Sequence, residues 1–438
     1  MAVLAALLLA ACAGSKVAEP TPQSQVGPEV DSTIGEAPAR APGPLEEPID
    51  QDRPLDPRIK VGLVLPLSGQ NAELGLALRN AAQLALFDQA PEQFTLMVRD
   101  SGGSPDGAAR GAQELLDQGV ELILGPLFAT SVEAVGPIAR SAGRSVIAFS
   151  NDRKVAGSGV YVLGLAPEAQ IARVVGYAAR KGLSRFAVLA PRSPYGEAVV
   201  QAAYQATNES ATQLARAVTY DPLAEDISAE VRSLADYDAR RQALEQQQAE
   251  LKARGDEAAE LALARLEGLE TFGPPPFDAV ILPEGGQRLI AVAPLLAYYD
   301  VDPAEVRYLG TAQWLDPSVW TERTLAGGWF AAPPPELWET FRQRYEQVYG
   351  VEPHRLAALA YDATAVAAVL AAQAAQRGER PEYSDFTLTQ GSGFAGVDGI
   401  FRLLPSGETE RGLAVFELQR DGPRLLEAAP DTFEQLIN

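Results

Sequence analysis

The stretch Ile59-Lys-Val-Gly-Leu-Val-Leu-Pro-Leu-Ser-Gly69, followed by Gln70-Asn-Ala-Glu-Leu-Gly-Leu-Ala-Leu-Arg-Asn80, decides the fold class. Its apolar run predicts a buried strand, which Pro66 and Gly69 end. The segment after the turn predicts an amphipathic helix. The apolar residues on one face of this helix are Leu74, Leu78, Ala81 and Ala85. In an open parallel sheet, such a turn lies at the carboxyl edge, where ligands usually bind. Ser68, in this turn, is therefore a candidate ligand contact.

The same unit of strand and helix recurs along the chain. Ser131 is predicted to cap the helix after the third strand, with Glu133 in its first turn. Strands that alternate with helices predict a doubly wound parallel sheet, and therefore an α/β fold. Further apolar strands are predicted at 94–100, 120–124, 145–149, 186–190, 214–220, 279–284 and 307–310.

The composition narrows the classes of function. The chain has 438 residues and 47% hydrophobic content, enough for two domains that each contain a core. Its formal net charge is −22, from 58 acidic and 36 basic residues, which disfavours nucleic acid and anionic lipid as general partners. The chain contains 1 Cys, so a disulfide within one chain is excluded.

The amino-terminal segment predicts export and attachment to a membrane. Residues 1–11 are almost entirely Ala, Leu and Val, and have the length of the apolar region of a signal peptide. The sequence Leu9-Ala-Ala-Cys12 resembles a bacterial lipobox, which implies a signal peptide over 1–12 and lipidation of Cys12. The alternative is a chance Cys in an ordinary secretory signal. Basic residues are missing before the apolar run, which leaves open a translation start upstream of Met1.

Four motifs resemble those of a known family, the type I periplasmic binding proteins, which include the leucine/isoleucine/valine-binding proteins of ABC importers. The order and spacing of that family are matched by Val61-Gly-Leu-Val-Leu-Pro-Leu-Ser-Gly69, Asp100-Ser-Gly-Gly-Ser-Pro105, Ile123-Leu-Gly-Pro126 and the polar end of the fourth strand. Within the superfamily, two segments most resemble the penicillin-binding protein activator lipoproteins: Gly125-Pro-Leu-Phe-Ala-Thr-Ser131 and Ile147-Ala-Phe-Ser-Asn-Asp152. The resemblance extends from about Ile59 to Leu418.

The resemblance implies a type I periplasmic-binding-protein fold: two doubly wound parallel-sheet lobes joined by three crossings, with a cleft between them. We expect 58–164 and 333–392 to form the first lobe. We expect 165–332 and 393–438 to form the second. Residues 13–57 are rich in Pro and in acidic residues, and this composition predicts a disordered linker.

Residues 236–270 depart from the importer pattern. This run of Ala, Leu, Glu, Arg and Gln contains no Pro and is strongly helix-forming. Gly255 is predicted to divide it into a helical hairpin, which forms an insertion in the second lobe. The simpler interpretation is a solvated helical arm. A surface that docks a partner protein is the alternative.

The candidate ligand contacts are polar or aromatic residues at the ends of strands and the starts of helices. Short hydroxyls there bind a carboxylate together with backbone N–H groups. The amino-acid-binding relatives imply that Tyr195 and Gly196 face the cleft and that Glu284 holds a ligand ammonium. Tyr195 packing over a helix start is the alternative for that residue. Trp314 is expected to stack on a ligand or to close the lobes. The full set is Ser68, Thr130, Ser131, Ser150, Asn151, Tyr195, Glu284, Thr311 and Trp314.

No catalytic chemistry is predicted. The single Cys and the single His, His354, argue against Cys/His or Ser/His catalysis and against the common zinc geometries. The sequence has no Gly-x-x-x-x-Gly-Lys-Ser/Thr phosphate loop. We therefore expect a binding protein rather than an enzyme, without cofactor or metal.

The resemblance implies a lipid-anchored regulator in the periplasm of a Gram-negative bacterium, held at the outer membrane. Its partner would be a peptidoglycan synthase, a class A penicillin-binding protein, which it binds and stimulates. The best-known activators carry a long helical repeat domain before this fold, whereas here the linker 13–57 precedes it. The alternative is a receptor that binds branched-chain or related amino acids and delivers them to an ABC permease. A sensory module without a transport partner is a third interpretation.

Overall fold

The computed structural model of the chain describes residues 58–433. The predicted signal peptide, Cys12 and the predicted linker 13–57 lie outside the described residues, and they remain predictions. One described helix, Ala357–Gln376, is long and apolar enough to cross a membrane. Inside the protein, 72% of its most apolar window is buried, as in the core helix of a folded domain.

Strands and helices alternate along residues 58–433, and the strands predicted from the sequence are present. The strands are β1 (Ile59–Leu65), β2 (Phe94–Asp100), β3 (Leu122–Leu124), β4 (Ser145–Ala148), β5 (Val160–Val162), β6 (Arg185–Pro191), β7 (Gln213–Tyr220), β8 (Ala279–Ile281), β9 (Arg307–Gly310), β10 (Trp329–Ala332), β11 (Phe394–Gly396), β12 (Gly399–Leu403), β13 (Thr409–Arg411), β14 (Ala414–Gln419) and β15 (Gly422–Glu427). The α-helices are α1 (Ala72–Gln89), α2 (Pro105–Asp117), α3 (Ala129–Ser141), α4 (Pro167–Arg180), α5 (Pro194–Glu209), α6 (Ser228–Ala235), α7 (Tyr237–Arg254), α8 (Glu257–Leu266), α9 (Gly286–Tyr298), α10 (Pro335–Tyr349), α11 (Ala357–Gln376) and α12 (Asp385–Leu388).

The first lobe is built on a 5-stranded parallel sheet in the order β2-β1-β3-β4-β5. Every residue of β3 and β4 is buried, because helices cover both faces of the sheet. Helices α1 and α11 pack on one face, and α2 and α3 pack on the other. This is the doubly wound arrangement that the sequence predicted.

Helix α3 begins earlier than predicted. Its N-cap is Phe128, whose backbone is extended, and the helix starts at Ala129. Ser131 therefore does not cap the helix, and its side chain is buried in the first turn.

The second lobe contains a 7-stranded sheet in the order β15-β14-β10-β9-β8-β6-β7. The strands from β10 to β7 run parallel, whereas β14 and β15 are antiparallel additions. Helices α4 and α5 cover one face of the sheet, and α6 and α9 cover the other. Both lobes are therefore α/β layers with a buried sheet.

The chain passes between the lobes three times: after β5, after β10 and after β13. A small sheet, β11-β12-β13, precedes the last crossing. Val397, Phe401 and Leu403 from this sheet lie in the core that contains α1 and α11. The expected boundary at 392/393 is therefore wrong, because alternate residues of β12 are buried against the first lobe. The chain enters the second lobe only after Gly412.

The insertion at 236–270 is a helical hairpin, as predicted. Gly255 ends α7 with a φ of 59°, a left-handed conformation that favours glycine. Asp256 then caps α8 by accepting a hydrogen bond from the N–H of Ala259 at 2.7 Å. The two helices pack along each other.

The base of the hairpin is fixed to the second lobe by Arg240. This side chain is buried, and its Nη2 donates to the carbonyl of Gly273 at 2.7 Å and to the carboxylate of Asp300 at 2.8 Å. Tyr237 packs edge-on against Tyr299, with ring centroids 5.2 Å apart. The hairpin is thus anchored by polar and aromatic contacts at its root.

Candidate functional site

A cavity of about 720 Å³ lies between the two lobes. The first lobe contributes the segment before α3 and the segment after β4, and the second lobe contributes the starts of α4 and α5. Its lining residues are Leu127, Phe128, Ala129, Ser150, Asn151, Asp152, Arg153, Lys154, Pro167, Glu168, Pro194, Tyr195, Glu197, Ala198 and Gln201. The carboxyl edges of the sheets therefore form the walls, as expected for a ligand site in an open α/β fold.

Ser150 and Asn151 reach the cavity because β4 ends just before them. Ser150 is buried, and its Oγ accepts a hydrogen bond from the N–H of Asp152 at 3.1 Å. Asn151 is exposed. The pair offers one hydroxyl and one amide at the first-lobe wall.

Tyr195 reaches the cavity from the first turn of α5. Ser193 caps this helix by accepting a hydrogen bond from the N–H of Gly196. A Cβ at Gly196 would lie 1.8 Å from the carbonyl oxygen of Pro191, so the turn requires glycine. The Tyr195 hydroxyl accepts from Nε2 of Gln313 at 3.0 Å. Burial raises the pKa of Tyr195 above its ordinary value, so its hydroxyl is neutral at physiological pH and offers a hydrogen bond rather than a charge.

Glu284 does not line this cavity, contrary to the expectation that it faces a ligand. Its carboxylate accepts a hydrogen bond from the hydroxyl of Tyr220, at the end of β7. Burial raises the pKa of Tyr220, and the bond to Glu284 raises it further. Arg288 lies over the Tyr220 ring at 4.8 Å. Glu284 thus belongs to a polar network within the second lobe.

Trp314 is fully buried and cannot stack on a ligand in the cleft, which corrects the prediction for this residue. A short helical turn, Ala312–Leu315, folds the indole under the sheet of the second lobe. The ring packs on Gly310 and Gly328 and lies 6.0 Å from the ring of Phe330. Thr311 is also fully buried.

Ser68, Thr130 and Ser131 lie in the first lobe but do not line the cavity. The backbone N–H of Ser68 donates to the carboxylate of Asp100 at 3.2 Å. Burial acts to raise the pKa of Asp100, but hydrogen bonds from Ser68, Gly102 and Leu67 outweigh it and hold that pKa below its usual value. Thr130 is exposed on α3. Of the nine predicted contacts, Ser150, Asn151 and Tyr195 are brought together.

Arg153 and Glu168 also line the cavity, and neither was predicted from the sequence. Arg153, on the first lobe, lies 3.6 Å from Glu168 of the second lobe and also bonds to Glu408. Arg153 and Glu168 also line a smaller cavity of about 240 Å³ beside the first crossing. The ion pair therefore separates the two cavities and links the lobes. The partners are distant in sequence, so no local pattern could reveal the bridge.

Metal binding has no support in the part of the chain that the structure describes. Within residues 58–433, no group of three or more His, Cys, Asp or Glu side chains could hold a metal ion. The cavity offers hydroxyl, amide, carboxylate and cationic groups, which suit the recognition of a small polar molecule.

Comparisons with known proteins agree with this architecture. Residues 58–423 match the family model described as periplasmic binding protein. Over 145 residues, the chain is 26% identical to the penicillin-binding protein activator LpoA of Vibrio cholerae, covering 32% of this chain and 24% of that protein. An uncharacterized protein of Rickettsia prowazekii is 21% identical over 176 residues, 40% of this chain and 47% of that protein. The chain thus spans less than half the length of either curated relative.

Solved structures share the fold. A branched-chain amino acid ABC transporter periplasmic ligand-binding protein from Burkholderia xenovorans superposes with a TM-score of 0.62. It is 15% identical, and the match covers 85% of this chain and 96% of that chain. At this identity the likeness concerns the fold alone.

Proposed function

Because the chain belongs to the periplasmic binding protein family, we propose that it is a lipid-anchored, periplasm-facing regulator that binds and stimulates a peptidoglycan synthase. Proteins with this fold typically bind ligands or regulate partners without catalysing a reaction. The likeness to the activator of Vibrio cholerae supports a class A penicillin-binding protein as the partner. Lipidation of Cys12 and location at the outer membrane are parts of the same proposal.

The observation that carries this proposal is a set of exposed apolar side chains on α8, on the segment after it and at the end of α9. We define the hairpin surface as Leu261, Leu269, Phe272 and Tyr298, which are 63%, 49%, 43% and 72% exposed. Exposed apolar side chains that gather in one region mark interaction sites more often than isolated ones do. Arg240 fixes the base of the hairpin, so this surface is held in place before a partner binds. A surface that is already ordered before the partner binds loses less conformational entropy on association.

Binding to a purified class A penicillin-binding protein tests the proposal. We expect the full chain to bind, and Phe272→Glu and Leu261→Glu to weaken binding by about tenfold or more, since each change would place an unpaired carboxylate in an apolar interface. The matched control is Phe386→Glu, because Phe386 is 89% exposed but lies on the first lobe. Surface-immobilised synthase and a glycan-polymerisation assay provide the two measurements. No binding by the unmodified chain, or an equal loss in the control, contradicts the proposal.

A second candidate is favoured by the cavity between the lobes. Ser150, Asn151 and Tyr195 line it from both sides, as a receptor that closes on a small amino-acid-like ligand requires. In this role the chain would deliver its ligand to an ABC permease. Because Glu284 is bonded to Tyr220, a ligand ammonium would instead approach one of the carboxylates that line the cavity, which are Asp152, Glu168 and Glu197. Calorimetry with a panel of amino acids tests this candidate. Tight binding that Tyr195→Phe weakens, without synthase binding, favours the receptor over the regulator.

A further inference from the structure

Four charged side chains meet where α11 faces the small sheet. We call Arg355, Asp362, Asp398 and Arg411 the hinge cluster. Asp362 is 1% exposed, and Asp398 and Arg411 are each 7% exposed. The backbone N–H of Val397 donates to Oδ1 of Asp362 at 2.7 Å. Arg355, whose side chain is 38% exposed, pairs with Asp398, so two carboxylates and two guanidinium groups lie together at this edge of the core.

Several polar atoms of the hinge cluster are buried without a partner. Among residues 58–433, no hydrogen bond reaches Oδ2 of Asp362, Nη1 of Arg355, or Nε and Nη1 of Arg411. Buried polar atoms are nearly always hydrogen-bonded, and an unpaired carboxylate oxygen is costly. The backbone also packs tightly here, since a Cβ at Gly396 would lie 2.5 Å from Oδ2 of Asp362. A proton on Asp362 would therefore remove an unfavourable buried charge.

The hinge cluster lies where the crossings meet. Nη2 of Arg411 donates to the carbonyl of Leu163 at 2.8 Å. These two residues come directly before Gly412 and Gly164, at the third and first crossings. A Cβ at Gly399 would lie 3.2 Å from Cδ of Pro334, which places the second crossing beside the same sheet. A change in the charge of the cluster thus acts where the lobes pivot.

We propose that Asp362 is a proton-sensitive lock on the hinge between the lobes. The charge of ionised Asp362 attracts the charge of Arg411 across the cluster without a direct hydrogen bond, and Arg411 holds the first and third crossings together through the carbonyl of Leu163. When Asp362 takes up a proton, this attraction is lost and the crossings gain freedom to move. The movement of the lobes is then coupled to pH, whatever occupies the cleft.

The groups that face Asp362 determine the pH at which it takes up a proton, and they place it near neutral. Burial is the largest influence and raises the pKa of Asp362 to about 7. The charge of Asp398 acts in the same direction, whereas Arg411, Arg355 and the N–H of Val397 act against it. These groups come from the turn before α11, the β11–β12 turn and β13, which surround the carboxylate on α11.

Spin labels on the two lobes test the lock. Labels are placed at Glu133→Cys on α3 and Asn208→Cys on α5, in a full-length chain with Cys12→Ser. We expect the distribution of distances between the labels to change between about pH 6 and pH 8 in the otherwise unmodified protein. In Asp362→Asn the distribution should not change with pH, because the amide carries no titrating charge. The matched control is Asp88→Asn, since Asp88 is a first-lobe carboxylate that accepts from neighbouring Tyr361; it should respond to pH like the parent.

Two results would overturn the proposal: a distribution that does not change with pH in the parent, or one that still changes in Asp362→Asn. If Asp362→Asn fails to fold, the carboxyl carbon resonance of Asp362 is followed by NMR in the parent protein. A titration midpoint near 7 supports the lock, and a midpoint near 4, the ordinary value for an aspartate, contradicts it.

Discussion

At the residue scale, the site depends on positions where the backbone excludes a side chain. Gly196 is the sharpest case, because α5 starts against the carbonyl of Pro191. We expect Gly196→Ala to destabilise the fold by about 3 kcal/mol or more, at the upper end of overpacking effects. The same change should displace Tyr195 from the cavity. Chemical denaturation measures the free energy of unfolding.

The matched control is Gly176→Ala within α4. A Cβ there would meet only the far end of Arg180, at 3.7 Å, and the backbone is helical. This variant should stabilise the protein by about 0.5 to 1 kcal/mol. Equal destabilisation by both variants would contradict the close approach at Gly196.

A second residue-scale prediction concerns pH and stability. The folded protein raises the pKa of Asp362 from 3.8 to about 7, so the folded state holds this proton more tightly than the unfolded chain does. The contribution of Asp362 to stability is therefore fully present below about pH 4 and is lost as the pH rises to about 7, on the order of 4 kcal/mol. Asp362→Asn should remove this part of the pH dependence. Urea denaturation at a series of pH values provides the measurement, and an unchanged profile would count against the prediction.

The sequence can predict those cavity residues whose positions follow directly from the end of a strand. Ser150 and Asn151 reach the cavity because β4 ends before them, and that end is visible as a change from apolar to polar residues. Glu284 also follows a strand, but Tyr220 takes its carboxylate. A side-chain partner on another strand leaves no trace in the local pattern, so the prediction for Glu284 was wrong.

At the element scale, the hairpin depends on one buried cation. Arg240→Ala would leave the carbonyl of Gly273 without its donor and Asp300 without its cationic partner, although the hydroxyl of Thr271 would still donate to Asp300. Breaking a buried pair costs about 3 to 5 kcal/mol, but Asp300 is 40% exposed, so we expect about 2 kcal/mol. Hydrogen exchange should show loss of protection at the start of α7, with the first lobe unchanged.

Arg241→Ala is the control for this prediction. Arg241 is 60% exposed and pairs with Glu245 one turn along α7. Its loss should change the free energy of unfolding by less than about 0.5 kcal/mol. A similar loss of protection in both variants would show that the root of the hairpin does not depend on Arg240.

Composition and periodicity were sufficient to predict the helices and strands, but they were not sufficient to predict every boundary between the lobes. The Ala- and Glu-rich run at 236–270 strongly favours helix, and Gly255 marks the position where the helix is interrupted. In β12, alternate residues are buried, which shows that one face is covered. Alternation does not say which lobe covers it, and the strand was therefore assigned to the wrong lobe.

At the scale of the whole molecule, the ion pair between Arg153 and Glu168 links the lobes, and Glu408 of the first lobe holds the Arg153 side chain in place. We expect Arg153→Gln to broaden the range of lobe arrangements and to increase the radius of gyration, because an attractive contact across the cleft is lost. Raising the salt concentration should have a smaller effect in the same direction, since partly exposed pairs are screened. Small-angle scattering measures both, and the control is Arg110→Gln, which changes an exposed arginine on α2. An unchanged radius in Arg153→Gln would show that the bridge does not restrain the lobes.

The three crossings also determine when each lobe can be completed during folding. The hydroxyl of Tyr345 bonds to the carbonyl of Ala77, a separation of 268 residues. The first lobe therefore cannot bury its core until α10 and α11 arrive from the last third of the polypeptide. The parallel strands β6 to β10 of the second lobe come from one continuous segment. A nascent chain can thus assemble most of its second lobe while its first lobe, although earlier in sequence, still exposes the apolar sheet that α11 will cover.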